Sequence, residues 1–206
     1  MNLRISEAHW REVQRATMSS FSKALGRPAE TGCILLCGHN VHPVRPSLLV
    51  ADVLIPTEQD LKDQEFGVIT FSSSFLRRAL LAVRQRGLKG FLTLHTHPLA
   101  DKHVDFSDYD NENDPQLMQN LYDMQPDGLF GSMVLGESSA AARVWNFPRF
   151  LPLKDLVIVG EQLRFVPLNG CSSATSIPEA TEIFDRSLAL TGQGALSILS
   201  RLRIAV

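Results

Sequence analysis

LHTHPLADKHVDFSDYD, residues 94–110, decides how this chain is read. His95 and His97 flank a single residue at the end of an apolar run, 91–95, with the length and composition of a strand. Alternation along a strand puts both imidazoles on one face, two rises apart, near enough to share a metal ion. Asp110 follows and can add a hard oxygen ligand. Two nitrogens and one carboxylate leave a fourth tetrahedral position open, the pattern of a catalytic rather than a closed structural zinc site. Pro98 turns the chain away after the second histidine. Ser107, three residues before Asp110, lies in a tight polar segment where its hydroxyl could face a substrate carbonyl, although serines at such places also form caps and turns.

Outward from this stretch, hydrophobic periodicity sets the organisation. Residues 6–25 read as an amphipathic helix with Trp10, Val13, Met18, Phe21 and Leu25 on its apolar face, Ser6 as N-cap and Gly26-Arg27-Pro28 as its stop. Residues 33–37 and 48–55 read as two strands joined by a proline-containing loop, and polar residues 57–67 as a further loop. Residues 68–71 form a short strand. Ser73 or Ser74 then caps a helix to about Gln85, with Leu76, Leu80, Leu81 and Val83 inward and Arg77, Arg78, Arg84 and Arg86 on a solvated face. A third helix spans 116–124, and 129–135 with 141–145 read as a closing hairpin. Helices before and among these strands predict an α+β domain of α/β/α layering that ends near residue 165.

The 206 residues suit one well-buried domain and an appendage. With 44% hydrophobic and 20% charged residues, neither disorder nor a fibrous repeat describes the whole. A net charge of -2 argues against a nucleic-acid or anionic-membrane binder that works through a positive field. No apolar run is long enough to span a bilayer, and the first residues lack the apolar centre of a signal peptide, so a cytoplasmic protein with no membrane partner is expected. The three cysteines, Cys33, Cys37 and Cys171, fit buried thiols better than a disulfide framework. His103 reads as an exposed loop residue, and His9, His39 and His42 belong to no pattern. Glu30, taken alone, is a surface carboxylate at the start of a strand.

His95-Thr96-His97-Pro98 followed by Ser107-Asp108-Tyr109-Asp110 resembles the His-x-His-Pro…Ser-x-x-Asp signature of the JAB/MPN metalloproteases, the JAMM proteins. The stretch from Glu30 to Gly38 looks like the glutamate-bearing strand that completes it, and the resemblance covers roughly residues 5–147. It implies a cytidine-deaminase-like mixed sheet flanked by helices, with zinc held by His95, His97 and Asp110. Zinc would bring the pKa of its water from about 15.7 towards 7. Glu30 would be general base and later proton donor to the leaving amine, and Ser107 would help stabilise the oxyanion. The interval from His97 to Asp110 is longer than the family's usual spacing, so 99–106 is expected to bulge, with Asp108 as the alternative ligand. Cys37 stands where many members carry a small residue. Loops 57–67 and 99–106 are expected to flank the metal and touch substrate.

From Val166 the texture changes. Residues 166–182 have the composition of a linker. Residues 183–206 resemble the opening of a ThiF-type adenylating domain, through Phe184, Arg186, Gly192-Gln193 and the run from Arg201 to Val206, and the apolar ending reads as a cut inside a longer polypeptide. The expected organisation is therefore a metalloprotease domain at 1–165, a linker, and the truncated start of an adenylating domain. Pairing a peptidase with an activating enzyme implies one shared substrate, a ubiquitin-like protein cleaved after its C-terminal glycine. A non-cleaving MPN module that docks such a protein is the alternative. The RadC-like branch, which shares His-x-His-Pro, is disfavoured by the net charge and by the adenylating-type tail.

Overall fold

Among the described residues, branched and apolar runs pair into a nine-stranded mixed sheet. The computed structural model of the chain describes residues 1–17, 29–41, 46–65, 67–100 and 102–168, all within one compact unit, Met1–Ser172. Its strands are β1 (Asn2–Ser6), β2 (Gly32–Asn40), β3 (Ser47–Leu54), β4 (Leu61–Glu65), β5 (Val68–Phe71), β6 (Gly90–Thr96), β7 (Leu129–Leu135), β8 (Ala140–Asn146), β9 (Arg149–Pro152), β10 (Asp155–Val159) and β11 (Leu163–Pro167). The helices are α1 (Glu7–Thr17), α2 (Ser73–Gln85) and α3 (Asp108–Met124). The large sheet runs in the order β11-β10-β1-β3-β2-β6-β7-β8-β9, and among the described residues β4 and β5 pair only with each other, as a separate antiparallel ribbon.

Strand alternation sorts the core into two layers. Leu3, Ile5, Cys33, Leu35, Leu92 and Leu94 face one way and pack with Val13 of α1. Ile34, Leu36, Phe91 and Phe130 face the other and pack with Phe75, Ala79 and Val83 of α2 and Met118 and Leu121 of α3. This unit is thus α+β with helices on both faces of the sheet. Cys33 and Cys37 are free and fully buried, and burial pushes both thiols up to about 12, which makes them inert structural groups.

Several elements differ from the sequence expectation, each for a local reason. The first helix is preceded by β1, whose buried Leu3 and Ile5 fill a central slot parallel to both β3 and β10. Ser6 still caps α1, accepting from the His9 backbone N–H at 3.2 Å; Met18, Phe21 and Leu25 lie outside the described residues. The expected loop 57–67 holds a 3-10 turn, Glu58–Asp60, and then β4. The cap of α2 is Ser72, one residue earlier than expected. α3 begins at Asp108, so the acidic stretch before Gln116 is helix rather than loop. β9, β10 and β11 extend the sheet beyond the expected hairpin, and β11 straddles residue 165. Residues 169–206, which hold the adenylating-type segment and most of the expected linker, lie outside the described residues. No helix among the described residues is long and apolar enough to cross a membrane.

The arginines of α2 do more than face solvent. Arg78 grips Asp60 with two bonds, at 2.9 and 2.8 Å, and Thr57 donates both its N–H and its hydroxyl to the same carboxylate at 2.9 Å. This ties the turn before β4 to α2. Arg84 bonds the Met124 carbonyl at the end of α3, and Arg86 pairs with Asp52 of β3.

The Arg78 guanidinium and the Thr57 bonds hold the Asp60 carboxyl well below its ordinary 3.8, outweighing the burial that works the other way. A carboxyl depressed by folding contributes stability that is complete above its unfolded pKa and is lost as acid protonates it in the native state. Parent and Asp60→Asn chains should therefore differ most in urea midpoint at pH 5–7 and converge as the pH falls below 3.8. A difference that stayed constant down to pH 2 would show that the pair contributes nothing through its charge.

Candidate metal centre

β6 delivers the two histidines. His95 is its penultimate residue and His97 follows directly, both on the face covered by α2 and α3, as Thr93 and Phe91 are. The His97 N–H is fixed by the Leu135 carbonyl of β7 at 2.8 Å. On the other side of β6, antiparallel pairing sets Gly32 opposite His95. The ladder continues outward through Thr96 N–H to the Thr31 carbonyl, at 2.9 Å, and Thr31 N–H to the Thr96 hydroxyl, at 3.0 Å. Two residues before Gly32, Glu30 therefore comes alongside His97. A Cβ at Gly32 would sit 2.3 Å from the Leu94 carbonyl oxygen, so only glycine permits this closeness of β2 to β6. Gln64 of β4 donates to the Glu30 carbonyl at 2.9 Å and fixes that backbone from the ribbon side.

α3 delivers the carboxylate. Ser107 is its N-cap, and Asp110, at the third helical position, closes a capping box. Ser107 donates its N–H at 2.8 Å and its hydroxyl at 2.7 Å to Asp110 Oδ2, while the Asp110 N–H bonds back to Ser107 Oγ. The hydroxyl proton thus goes to the carboxylate, and in this arrangement Ser107 orients Asp110 rather than presenting a donor to solvent. Asp108 is exposed on the helix, and the carboxylate that meets the histidines is that of Asp110, not of the fallback position. His103 is exposed, as expected.

The three side chains meet at their tips. His95 Nε2 lies 3.1 Å from His97 Nε2, His95 Nε2 is 3.2 Å from Asp110 Oδ1, and His97 Nε2 is 3.4 Å from Asp110 Oδ2. Donor atoms about 2.0–2.1 Å from a tetrahedral ion stand about 3.3–3.4 Å from one another. The triangle has the size of one face of such a coordination shell. Glu30, His95 and His97 also form a group whose ligand atoms all lie within 4.8 Å of one another and that could hold a metal ion. The donor set, two imidazoles with carboxylates in a mostly buried pocket, could hold a divalent metal ion.

Electrostatics agree with that chemistry. Burial raises the Glu30 carboxyl above its ordinary value; His95 and His97 pull against this, and Asp110 adds to it. Burial also works to raise Asp110, but the bonds from His95, His97 and Ser107 outweigh it and keep this carboxyl far below the usual range. His97 is raised: burial opposes its charge, and contact with Asp110 more than offsets that. Two carboxyls beside the same pair of histidines are thus driven in opposite directions, one towards holding a proton and one towards staying charged.

A cavity of about 330 Å³ opens at His95 and Asp110, walled by Ile69 and Phe71 of β5, Leu76 of α2, and Tyr109 and Leu117 of α3. Among the described residues its lining comes from β5, β6 and the two helices, and takes none from 57–67 or 99–106, the loops expected to touch substrate. Gln64, which sequence reasoning did not single out, lies in the polar stretch expected to be loop, and only the ribbon pairing brings it to Glu30. The chain matches no protein-family model, and comparison with curated proteins finds no match.

Proposed function

We propose that this chain is a zinc-dependent peptidase of JAB/MPN type that cleaves the amide bond after the C-terminal glycine of a ubiquitin-like protein. The observation that carries the reading is the triangle of His95, His97 and Asp110 with the burial-raised carboxyl of Glu30 beside it. His95, His97 and Asp110 are the ligands in this reading. Zinc held there supplies a Lewis acid for the scissile carbonyl and a source of nucleophile at neutral pH. Glu30 takes the proton of the attacking water on a carboxylate oxygen and returns it to the departing nitrogen as the carbon–nitrogen bond breaks. A raised pKa suits both halves of that task. Asp110, held fully ionised, is the complementary group that stays charged throughout. Ser107 serves by fixing Asp110 and contributes to oxyanion stabilisation only if its hydroxyl turns away from that carboxylate.

The cavity beside the histidines has room for the residues flanking a scissile bond, with an apolar wall from Ile69, Phe71 and Leu76. The choice of a ubiquitin-like substrate rests on the adenylating-type pattern at 183–206 and on the pairing of the two domains. The test uses the whole chain, loaded with zinc, and a ubiquitin-like protein carrying a short C-terminal extension, followed by intact mass spectrometry. Loss of the extension, abolished by a chelator and restored by zinc, is the expected result. Cleavage of unrelated peptides with this extension intact would remove the substrate assignment. Tight binding with no cleavage would assign the docking role instead.

A further inference from the structure

Arg143 of β8 interrupts an apolar strand, between Ala142 and Val144, and points to the face that carries α3. Its side chain is 11% exposed. A buried guanidinium is costly unless its N–H groups are matched, and this one makes four hydrogen bonds. Nε donates to Ser132 Oγ of β7 at 3.2 Å, Nη1 to Asn111 Oδ1 at 2.6 Å, and Nη2 to the Asp110 carbonyl at 3.2 Å and Asp114 Oδ2 at 2.8 Å. The planar group is also sandwiched between Phe106, 3.7 Å from its carbon, and Phe150, at 4.2 Å. Ser132 completes the lattice by donating to Asp114.

Apart from Ser132 and Phe150, every partner lies between residues 106 and 114, the stretch that contains Ser107 and Asp110. Asp110, Asn111 and Asp114 lie on one side of α3, so gripping all three fixes the rotation of the helix about its own axis. That rotation decides where the Asp110 carboxylate points. Side chains reach about 5–6 Å from a helix axis, so a roll of about 20° displaces a carboxylate by about 2 Å. Metal coordination tolerates about 0.2 Å.

The geometry points to Arg143 as the positioning residue of the metal centre: through Asn111, Asp114 and the Asp110 carbonyl it locks the first turns of α3 so that Asp110 meets His95 and His97. This inference rests on the metal reading above. It assigns Arg143 no contact with metal or substrate, and it makes the fork geometry of arginine, not only its charge, the required property.

The experiment measures zinc affinity of the whole chain by competition with a chromogenic chelator, together with the visible spectrum of the cobalt(II) form and the Tm of the metal-free form. Arg143→Gln should lose affinity by about 10–100-fold, the usual effect of removing an outer-sphere support. Arg143→Lys keeps a cation opposite Asp114 but lacks the fork; it should hold its Tm nearer the parent, yet still lose at least about tenfold in affinity and show an altered cobalt spectrum. Leu156→Ala, on β10 in the opposite core layer, should lower Tm while leaving zinc affinity and the cobalt spectrum as in the parent. If Arg143→Gln does not fold, Arg143→Lys and Asn111→Ala carry the comparison with the same expectation. Zinc binding within about twofold of the parent in the Arg143 variants, or an equal loss of affinity in Leu156→Ala, would overturn the positioning role alone. A parent chain that binds no metal would overturn the metal reading and this inference with it.

Discussion

Replacing Glu30 by glutamine should lower turnover by about 10²–10⁴-fold, the range general-base groups contribute, while leaving zinc content unchanged. Glutamine has nearly the same shape, and the backbone around it is held independently of the side chain. Gln64 grips the Glu30 carbonyl, Thr31 and Thr96 exchange bonds beside it, and Gly32 keeps β2 against β6. The amide therefore takes the place of the carboxylate and cannot carry the proton. Metal is retained because the close triangle of donors does not include Glu30. Parallel measurements of kcat and of zinc by elemental mass spectrometry separate the two effects. Loss of zinc in Glu30→Gln would make Glu30 a ligand, which the group Glu30, His95 and His97 also permits, and a different base would then be needed.

How much of this centre was legible in the sequence depends on whether a position obeys a local rule. His95 and His97 follow strand alternation, and the structure puts both on one face and brings Asp110 to them. Glu30 has no local signature. Only the antiparallel register of β2 on β6, a long-range pairing that periodicity cannot show, carries it to His97. Ser107-Asp108-Tyr109-Asp110 has two meanings. The spacing that resembles a ligand signature is also a capping box, so the segment taken for loop is the start of α3. The acidic residues obscured the helix start, although carboxylates are favoured there, and Pro115, the eighth residue of α3, is an interior proline that removes a backbone bond and reads as a break. β4 was hidden for another reason: it pairs only with β5, and its polar sequence lacks an apolar alternation. Arg143 was legible only as an anomaly, one charge within the apolar run 140–145. Nothing in the sequence named its partners, of which those on α3 stand 29 to 33 positions away.

Asp110→Ala should reduce zinc affinity by more than about a hundredfold, since outer-sphere substitutions alone cost about 10–100-fold and this one removes a proposed ligand. It should also destabilise the metal-free chain, because the same carboxylate accepts the Ser107 N–H and hydroxyl at the start of α3. Loss of such a capping contact costs about 1 kcal/mol, or about 2–4 °C in Tm for a chain of this size. Asp110→Asn separates the two duties. Its amide oxygen can still accept from Ser107, so most of the lost Tm should return. A neutral amide oxygen is a much poorer ligand than a carboxylate, so zinc affinity should not return. Metal titration and thermal melts of the two variants, each with and without zinc, check both halves. If alanine at 110 bound zinc as tightly as the parent, the ion would have to be held by Glu30, His95 and His97, and the lowered carboxyl of Asp110 would belong to the helix start and not to the metal.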